Sequence, residues 1–135
     1  MRTDMRFKSQ AHKDFYKAMI NCTDANSVYH HAFFYTVGLS HDTRNHVQDI
    51  FDFKTNCINP EGLHSPWQTS DSRRITLMAF NMWNGYIEQG NEQESTPDNL
   101  FASSEAPYFF EAIRMRYPEY CKEIAGNKKE YEKEI

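Results

Sequence analysis

Glycine and proline are scarce in this 135-residue chain, with five of each. So few turn-forming residues favour long helices over a fold of many short strands. No apolar run approaches the ~18 residues of a membrane-spanning helix, so we expect no membrane segment. The charged amino-terminal residues are not followed by an apolar stretch, so we expect no signal peptide. We expect a single helical domain over residues 1–126 and a charged, frayed tail at 127–135.

Cysteine is also scarce, and Cys22, Cys57 and Cys121 form an odd number without paired spacing. This pattern predicts reduced thiols in a cytoplasmic protein rather than a disulfide framework. The formal net charge of −4 argues against nonspecific binding to nucleic acid or anionic membranes.

Lysine and arginine are absent from residues 75–113, a stretch that holds six acids and seven aromatic residues. This composition predicts either a solvated face over a core stripe or an acidic surface that docks on a basic protein. Aromatic side chains near loops and helix ends would anchor such a partner, and Tyr86 is one candidate. The predicted partner-binding residues are Glu88, Glu92, Glu94, Asp98, Phe101, Glu105, Tyr108 and Trp67.

Hydrophobic periodicity predicts an all-α fold, a compact single-domain bundle of five to six helices built around the second and fourth helices. A long ordered loop is expected at about 54–69, where prolines and Gly62 interrupt any helix. Gly38 is predicted to be a left-handed residue that ends the second helix. The predicted helices cover about 9–21, 27–37, 40–53, 70–86, 97–103 and 106–116. Their predicted caps are Ser9, Ser27, Ser40 or Asp42, Ser70 or Asp71, and Thr96.

A helix-turn-helix DNA-binding regulator is one alternative, because the turn at residues 37–40 has a suitable length. A helical hairpin with a glycine cap explains the same pattern. The residues that would contact DNA are Thr43, Arg44, Asn45, His46, Gln48, Arg73 and Arg74. Cations in the first turn of a helix are mildly unfavourable, so Arg73 and Arg74 predict an acidic neighbour, either Asp71 or another segment.

A small metal-dependent or Cys/His-dependent enzyme is the other alternative, although no catalytic, phosphate-binding or dinucleotide motif is present. Most histidines are expected on the surface or at helix caps, and we expect no cofactor. The weak metal-site candidates are His41, His46, Cys57 and His64, whose spacing differs from common zinc motifs.

Sequence strings across residues 7–121 resemble an uncharacterised domain family of gut Firmicutes, often carried on integrative elements and prophages. Among these strings are Val28-Tyr29-His30-x-Ala32-Phe33-Phe34-Tyr35, Ala79-Phe80-Asn81-x-Trp83-Asn84-Gly85 and Ala106-Pro107-Tyr108-Phe109-Phe110-Glu111. The resemblance implies an accessory protein of a mobile element. We therefore expect a small acidic binding protein that docks on a partner with a basic surface. The most concrete version inhibits a nucleic-acid-binding effector of host defence, as anti-CRISPR proteins do.

Overall fold

The computed structural model describes residues 5–23 and 27–121, which are mostly helical, so the all-α prediction is confirmed. The seven α-helices in this part of the chain are α1 (Gln10–Thr23), α2 (Val28–Val37), α3 (His41–Asn45), α4 (Val47–Ile50), α5 (Ser70–Asn84), α6 (Pro97–Leu100) and α7 (Ala106–Arg116). Short 3-10 helices cover Pro60–His64, Glu92–Ser95 and Pro118–Tyr120. The tail predicted at 127–135 lies outside the described residues.

Helix α2 forms the centre of the fold, as its nearly continuous apolar sequence predicts. Residues 32–37 of α2 have no exposed surface. Helices α1, α5 and α7 pack around α2, and its most extensive packing is against α5. The prediction that the second and fourth predicted helices form the core is therefore confirmed, since the fourth corresponds to α5. No helix within residues 5–23 and 27–121 is long and apolar enough to cross a membrane.

A fully buried histidine joins α1 to α2. His12 Nε2 lies 2.7 Å from the carbonyl oxygen of Tyr35 and donates to it, while Nδ1 accepts from the backbone N–H of Lys8 at 3.0 Å. Burial lowers the pKa of His12 to about 4, so the ring is neutral near pH 7. The expectation of a surface or capping histidine is wrong for His12, because two backbone groups satisfy both ring nitrogens inside the core.

Gly38 follows α2 for a steric reason rather than a conformational one. Its φ of −69° is right-handed, so the left-handed prediction is wrong. A Cβ at Gly38 would lie 2.7 Å from His12 Cδ2 and 3.1 Å from Phe15 Cδ2, so the glycine allows α1 to approach closely. The left-handed helix end is at Gly85, after α5, where φ is 76°.

The third predicted helix, expected to reach Phe53, is wrong in its second half. It divides at His46 into α3 and α4, and the chain then forms the strands β1 (Phe51–Asp52) and β2 (Cys57–Ile58). These strands pair antiparallel, with Phe51 opposite Ile58. Phe51 is only 1% exposed, so its ring lies in the core although the residue belongs to a strand and not to a helix.

The segment 54–69 is ordered, as predicted, but it contains β2 and a 3-10 helix. The backbone N–H of Asn59 donates to the carbonyl oxygen of Ile50 at 2.8 Å, which attaches the segment to α4. Gly62 packs so closely against the backbone of Asp49 that a Cβ there would overlap its carbonyl group. Any larger residue at position 62 would push the segment away from α4.

The predicted helix caps are correct for three helices. Ser9 accepts from the N–H of His12, and Ser27 and Ser40 cap α2 and α3 in the same way. The cap of α5 lies earlier than predicted, since a capping box between Thr69 and Ser72 takes the place of a cap at Ser70 or Asp71. The Thr96 hydroxyl does not cap α6; it donates to the Gln93 carbonyl, and α6 ends at Leu100 rather than 103.

Candidate docking surface

The acid-rich segment after α5 is held against that helix by Arg73. Arg73 Nη2 lies 2.6 Å from Glu88 Oε1, and its Nε lies 2.9 Å from Glu94 Oε1. A third donation from Nη1 reaches the carbonyl oxygen of Leu63 at 2.8 Å. The guanidinium thus connects the 3-10 helix at 60–64, the loop after α5 and the 3-10 helix at 92–95.

Glu88 is the most buried charged residue of this network, with 8% of its surface exposed. His64 Nε2 lies 2.5 Å from Glu88 Oε2, and Asn91 Nδ2 lies 2.8 Å from Oε1. Burial raises the pKa of Glu88, but donations from Asn91, Arg73 and His64 outweigh that effect and hold the pKa below its usual value. Glu88 is therefore an ionised internal anchor.

Arg74 holds the next part of the same segment. Its Nε donates to the carbonyl oxygen of Asn99 at 3.1 Å, and its Nη1 lies 3.2 Å from Asp71 Oδ1. Asn99 in turn donates from Nδ2 to the carbonyl oxygen of Glu94 at 2.6 Å. The prediction that the two arginines have acidic neighbours is confirmed. Arg74 pairs with Asp71, and Arg73 pairs with Glu88 and Glu94 of the segment after α5.

Two further predicted partner-binding residues also make internal contacts. Glu105 is 8% exposed, and its Oε1 lies 2.5 Å from Lys8 Nζ, which ties the loop before α7 to the residues before α1. Tyr108 is half-buried, with its ring edge-on to His12 at a centroid distance of 6.5 Å. Glu105 and Tyr108 therefore stabilise the fold, and neither position requires a binding partner to explain it.

The remaining candidate surface consists of two exposed acids and two phenylalanines, because the sixth acid, Glu111, is buried and its Oε1 lies 3.6 Å from Arg114 Nη1. Glu92 and Asp98 are exposed and have no ion-pair partner among the described residues. Phe101 lies one turn after Asp98 and is partly buried, and its ring centroid is 4.8 Å from that of Phe110. Phe110 is 52% exposed. We call Glu92, Asp98, Phe101 and Phe110 the docking surface.

Glu92 begins the 3-10 helix at 92–95, two residues after Gly90. Backbone N–H groups of Glu92 itself and of Gly90 donate to its carboxylate and lower its pKa. Gly90 has a φ of 93°, a left-handed conformation that permits this turn. Glu92 is therefore charged throughout the neutral pH range.

Phe110 was not among the predicted partner-binding residues, although a signal for it exists in the sequence. Phe109 and Ala112 have no exposed surface and define the inner face of α7. Residues that follow one another on a helix point ~100° apart, so Phe110 must leave the face that Phe109 occupies. An exposed aromatic residue beside the acids follows from that offset.

Trp67 lies apart from the docking surface. Its ring stacks on that of His46 at a centroid distance of 4.5 Å and an interplanar angle of 9°. Its Nε1 donates to Asp49 Oδ2 at 2.9 Å. Trp67 therefore fastens the 54–69 segment to α4. Tyr86, the other aromatic candidate, packs edge-on against the buried ring of Phe80.

The residues of the helix-turn-helix alternative are mostly engaged within the fold. Thr43 is fully buried and donates to the carbonyl oxygen of Val37 at 2.5 Å, while Arg44 donates to that of Gly38 at 2.8 Å. Asn45 and Gln48 remain exposed. Helix α3 has only five residues, roughly 7.5 Å of helix, which is short for an element that reads the major groove.

The four weak metal-site candidates do not come together. His64 binds Glu88, His46 stacks on Trp67, and His41 lies beside Asn45. Cys57 is an exposed free thiol, as are the other two cysteines. Across the described ranges, no three histidine, cysteine, aspartate or glutamate side chains are grouped closely enough to hold a metal ion.

A model of a protein family described as a family of unknown function (DUF6075) matches residues 2–129. The match spans nearly the whole chain, so the protein belongs to this family. The uncharacterised-family part of the resemblance is thus confirmed, whereas the link to mobile elements stays a prediction. No curated protein and no solved structure matches the chain.

Proposed function

We propose that this member of the DUF6075 family is a binding protein that docks on a basic protein partner through Glu92, Asp98, Phe101 and Phe110. One observation carries the proposal. Of the six acids between Arg74 and Arg114, four form ion pairs within the protein (Glu88, Glu94, Glu105 and Glu111), whereas Glu92 and Asp98 are exposed and have no ion-pair partner among the described residues.

The chemistry of this surface suits a cationic partner. Two exposed negative charges attract a basic surface and raise the association rate, and the segment that carries them, within residues 75–113, contains no lysine or arginine. Phe110 supplies apolar area, and aromatic rings at interfaces carry much of the binding free energy when a partner encloses them. Arginine side chains of the partner suit this surface, because a guanidinium pairs with carboxylates and stacks on aromatic rings.

The surface is also prepared before binding, which reduces the entropy lost on association. Arg73 fixes Glu94, and Arg74 fixes Asn99, so the backbone on either side of Asp98 is tied to α5. The exposed acids therefore project from a segment that is held at several points.

A more specific proposal concerns the partner. An acidic surface competes with nucleic acid for the basic surface of any protein that binds phosphates. We therefore propose that the partner is a nucleic-acid-binding effector of host defence. In this version a mobile element encodes the protein, which inhibits the effector in the cytoplasm. The acidic composition and the resemblance to a family carried on such elements support this version.

The experiment is a pull-down from a host lysate with tagged wild-type protein and two variants, Phe110→Ala and Tyr120→Ala. Tyr120 is an exposed aromatic residue outside the docking surface, at 84% exposure, and provides the matched control. The proposal expects a basic protein, identified by mass, that wild type and Tyr120→Ala capture and Phe110→Ala loses. Equal capture by all three proteins would contradict the role of Phe110.

A further inference from the structure

Arg116, the last residue of α7, is a partly buried cation without an acidic partner in the described part of the chain. Arg73 and Arg114 each pair with a carboxylate. Glu119 lies three residues after Arg116, but the two side chains form no ion pair. A cation that is partly removed from water interacts more strongly with a carboxylate than a fully solvated cation does. The guanidinium of Arg116 is therefore available to an anion from outside the protein.

Three contacts hold this guanidinium in position. Its Nε donates to the carbonyl oxygen of Met82 at 2.8 Å, which joins the end of α7 to α5. Its central carbon lies 4.1 Å from the ring centroid of Tyr29 and 4.6 Å from that of Tyr117. The ring of Tyr29 in turn lies edge-on to Trp83 at a centroid distance of 6.5 Å. Because the group is positioned before a ligand arrives, less entropy is lost on binding.

The two terminal nitrogens are the unused part of the guanidinium. Nη1 and Nη2 of Arg116 have no hydrogen-bond acceptor among the described residues, and neither atom is buried. Since Nε is already bound to Met82, the edge between Nη1 and Nη2 is the one that can donate to a ligand. Two parallel N–H groups on that edge match the two oxygens of a carboxylate.

The surroundings favour a single carboxylate over the phosphates of a nucleic acid. Glu119 is exposed close by in the sequence, and the chain has a formal net charge of −4, so a polyanion with many phosphates would be repelled. One carboxylate needs only the pair with Arg116. Tyr29 and Tyr117 are 44% and 36% exposed, which leaves apolar ring area for the side chains beside that carboxylate.

We propose that Arg116, Tyr29 and Tyr117 form a binding site for a short acidic segment of a partner protein. An aspartate or glutamate of that segment accepts from Nη1 and Nη2 of Arg116, and an apolar residue next to it contacts the tyrosine rings. This site shares no residue with the docking surface and takes a ligand of the opposite charge, so neither proposal requires the other.

The experiment selects peptides on the immobilised wild-type protein from a random library that is fused to phage through its carboxyl end. The enriched sequences are expected to contain an aspartate or glutamate next to an apolar residue. One such peptide is synthesised with an amidated carboxyl end, and fluorescence polarisation measures its dissociation constant. Arg116→Gln is expected to weaken binding about tenfold. Arg116→Lys is also expected to weaken it, because an ammonium lacks the two parallel donors of a guanidinium.

The control variant is Arg6→Gln, which removes an exposed arginine before α1 and changes the net charge as Arg116→Gln does. Its peptide affinity is expected to equal that of wild type, and circular dichroism checks that every variant is folded. The proposal is overturned if the library yields no acidic sequence, if Arg116→Gln and Arg6→Gln bind the peptide equally, or if Arg116→Lys binds it as tightly as wild type. A single-stranded oligonucleotide that binds more tightly than the peptide, and that Arg116→Gln loses, would assign the site to nucleic acid and also overturn the proposal.

Discussion

The guanidinium of Arg73 on α5 lies 2.6 Å from the buried carboxylate of Glu88, which follows α5 in a different segment of the chain. This pair attaches the beginning of the acid-rich segment to the central helices. Because Glu88 is 8% exposed, its charge depends on that partner for compensation.

Replacement of Arg73 by Gln should therefore destabilise the protein more than replacement of its neighbour. Arg73→Gln leaves a buried carboxylate without its cation and removes the bond to the Leu63 carbonyl, so we expect a loss of about 2–3 kcal/mol in the free energy of unfolding. Arg74→Gln should cost about 1 kcal/mol or less, since the side chain of its acidic partner Asp71 is 88% exposed. Urea denaturation measures both values.

A double-mutant cycle with Glu88→Gln separates the ion pair from other effects of the substitution. If the pair is coupled, Arg73→Gln combined with Glu88→Gln is less destabilised than the sum of the two single variants. Strict additivity would show that Arg73 stabilises the fold by other contacts.

The buried histidine predicts a specific dependence of stability on pH. The pKa of His12 is about 4 in the folded protein and near its ordinary value of 6.5 in the unfolded chain. Above pH 6.5 both states hold the neutral ring. As the pH falls from 6.5 toward 4, only the unfolded chain takes up the proton, so folding becomes less favourable by up to about 3 kcal/mol.

Urea denaturation at several pH values from 7 to 4.5 tests this dependence. The variant His12→Gln should have a shallower slope over that range, whereas the exposed control His41→Gln should retain the wild-type slope. A residual slope is expected from His31, because burial also lowers its pKa. A slope that His12→Gln leaves unchanged would contradict the buried neutral ring.

Two glycines should respond to substitution for different reasons. Gly38→Ala places a methyl group 2.7 Å from His12 Cδ2, so we expect a loss of about 1–3 kcal/mol from overpacking. Gly85→Asn should be nearly neutral, because that position is open and asparagine tolerates a left-handed conformation. Thermal denaturation compares the two variants with wild type. A Gly38→Ala protein as stable as wild type would show that α1 can move away.

The comparison of Gly38 and Gly85 also shows where sequence patterns are informative. The apolar pattern predicted α5 because Ile75, Met78, Ala79 and Met82 form a buried stripe, and it predicted α2 because that sequence is nearly continuously apolar. Whether the glycine after a helix adopts a left-handed conformation or permits close packing depends on a neighbour from another helix. Gly38 depends on His12 in this way, and no local pattern contains that information.

The division of the third predicted helix has a similar origin. Residues 47–53 have a helical pattern of apolar residues, yet Phe51 pairs with Ile58 across a hairpin. Pairing with residues 57–58 thus replaces the last turn of the predicted helix, and the hydrogen bond from Asn59 to Ile50 stabilises this pairing. Local propensity could not predict that competition.

The candidate site was predictable in composition and less so in detail. The absence of basic residues located the acidic segment, and the helix-dipole argument anticipated acidic neighbours for Arg73 and Arg74. Which acids would be used internally could not be predicted, because Glu88 and Glu94 meet Arg73 only after the chain folds back onto α5.

The dissociation constant of the captured partner tests the central proposal most directly, with wild type compared with the double variants Glu92→Lys/Asp98→Lys and Glu61→Lys/Glu119→Lys. Both double variants change the net charge equally, and Glu61 and Glu119 are exposed acids outside the docking surface. The proposal predicts that Glu92→Lys/Asp98→Lys weakens binding at least about tenfold while the control changes it little. Equal affinities for the two variants would contradict docking through Glu92 and Asp98.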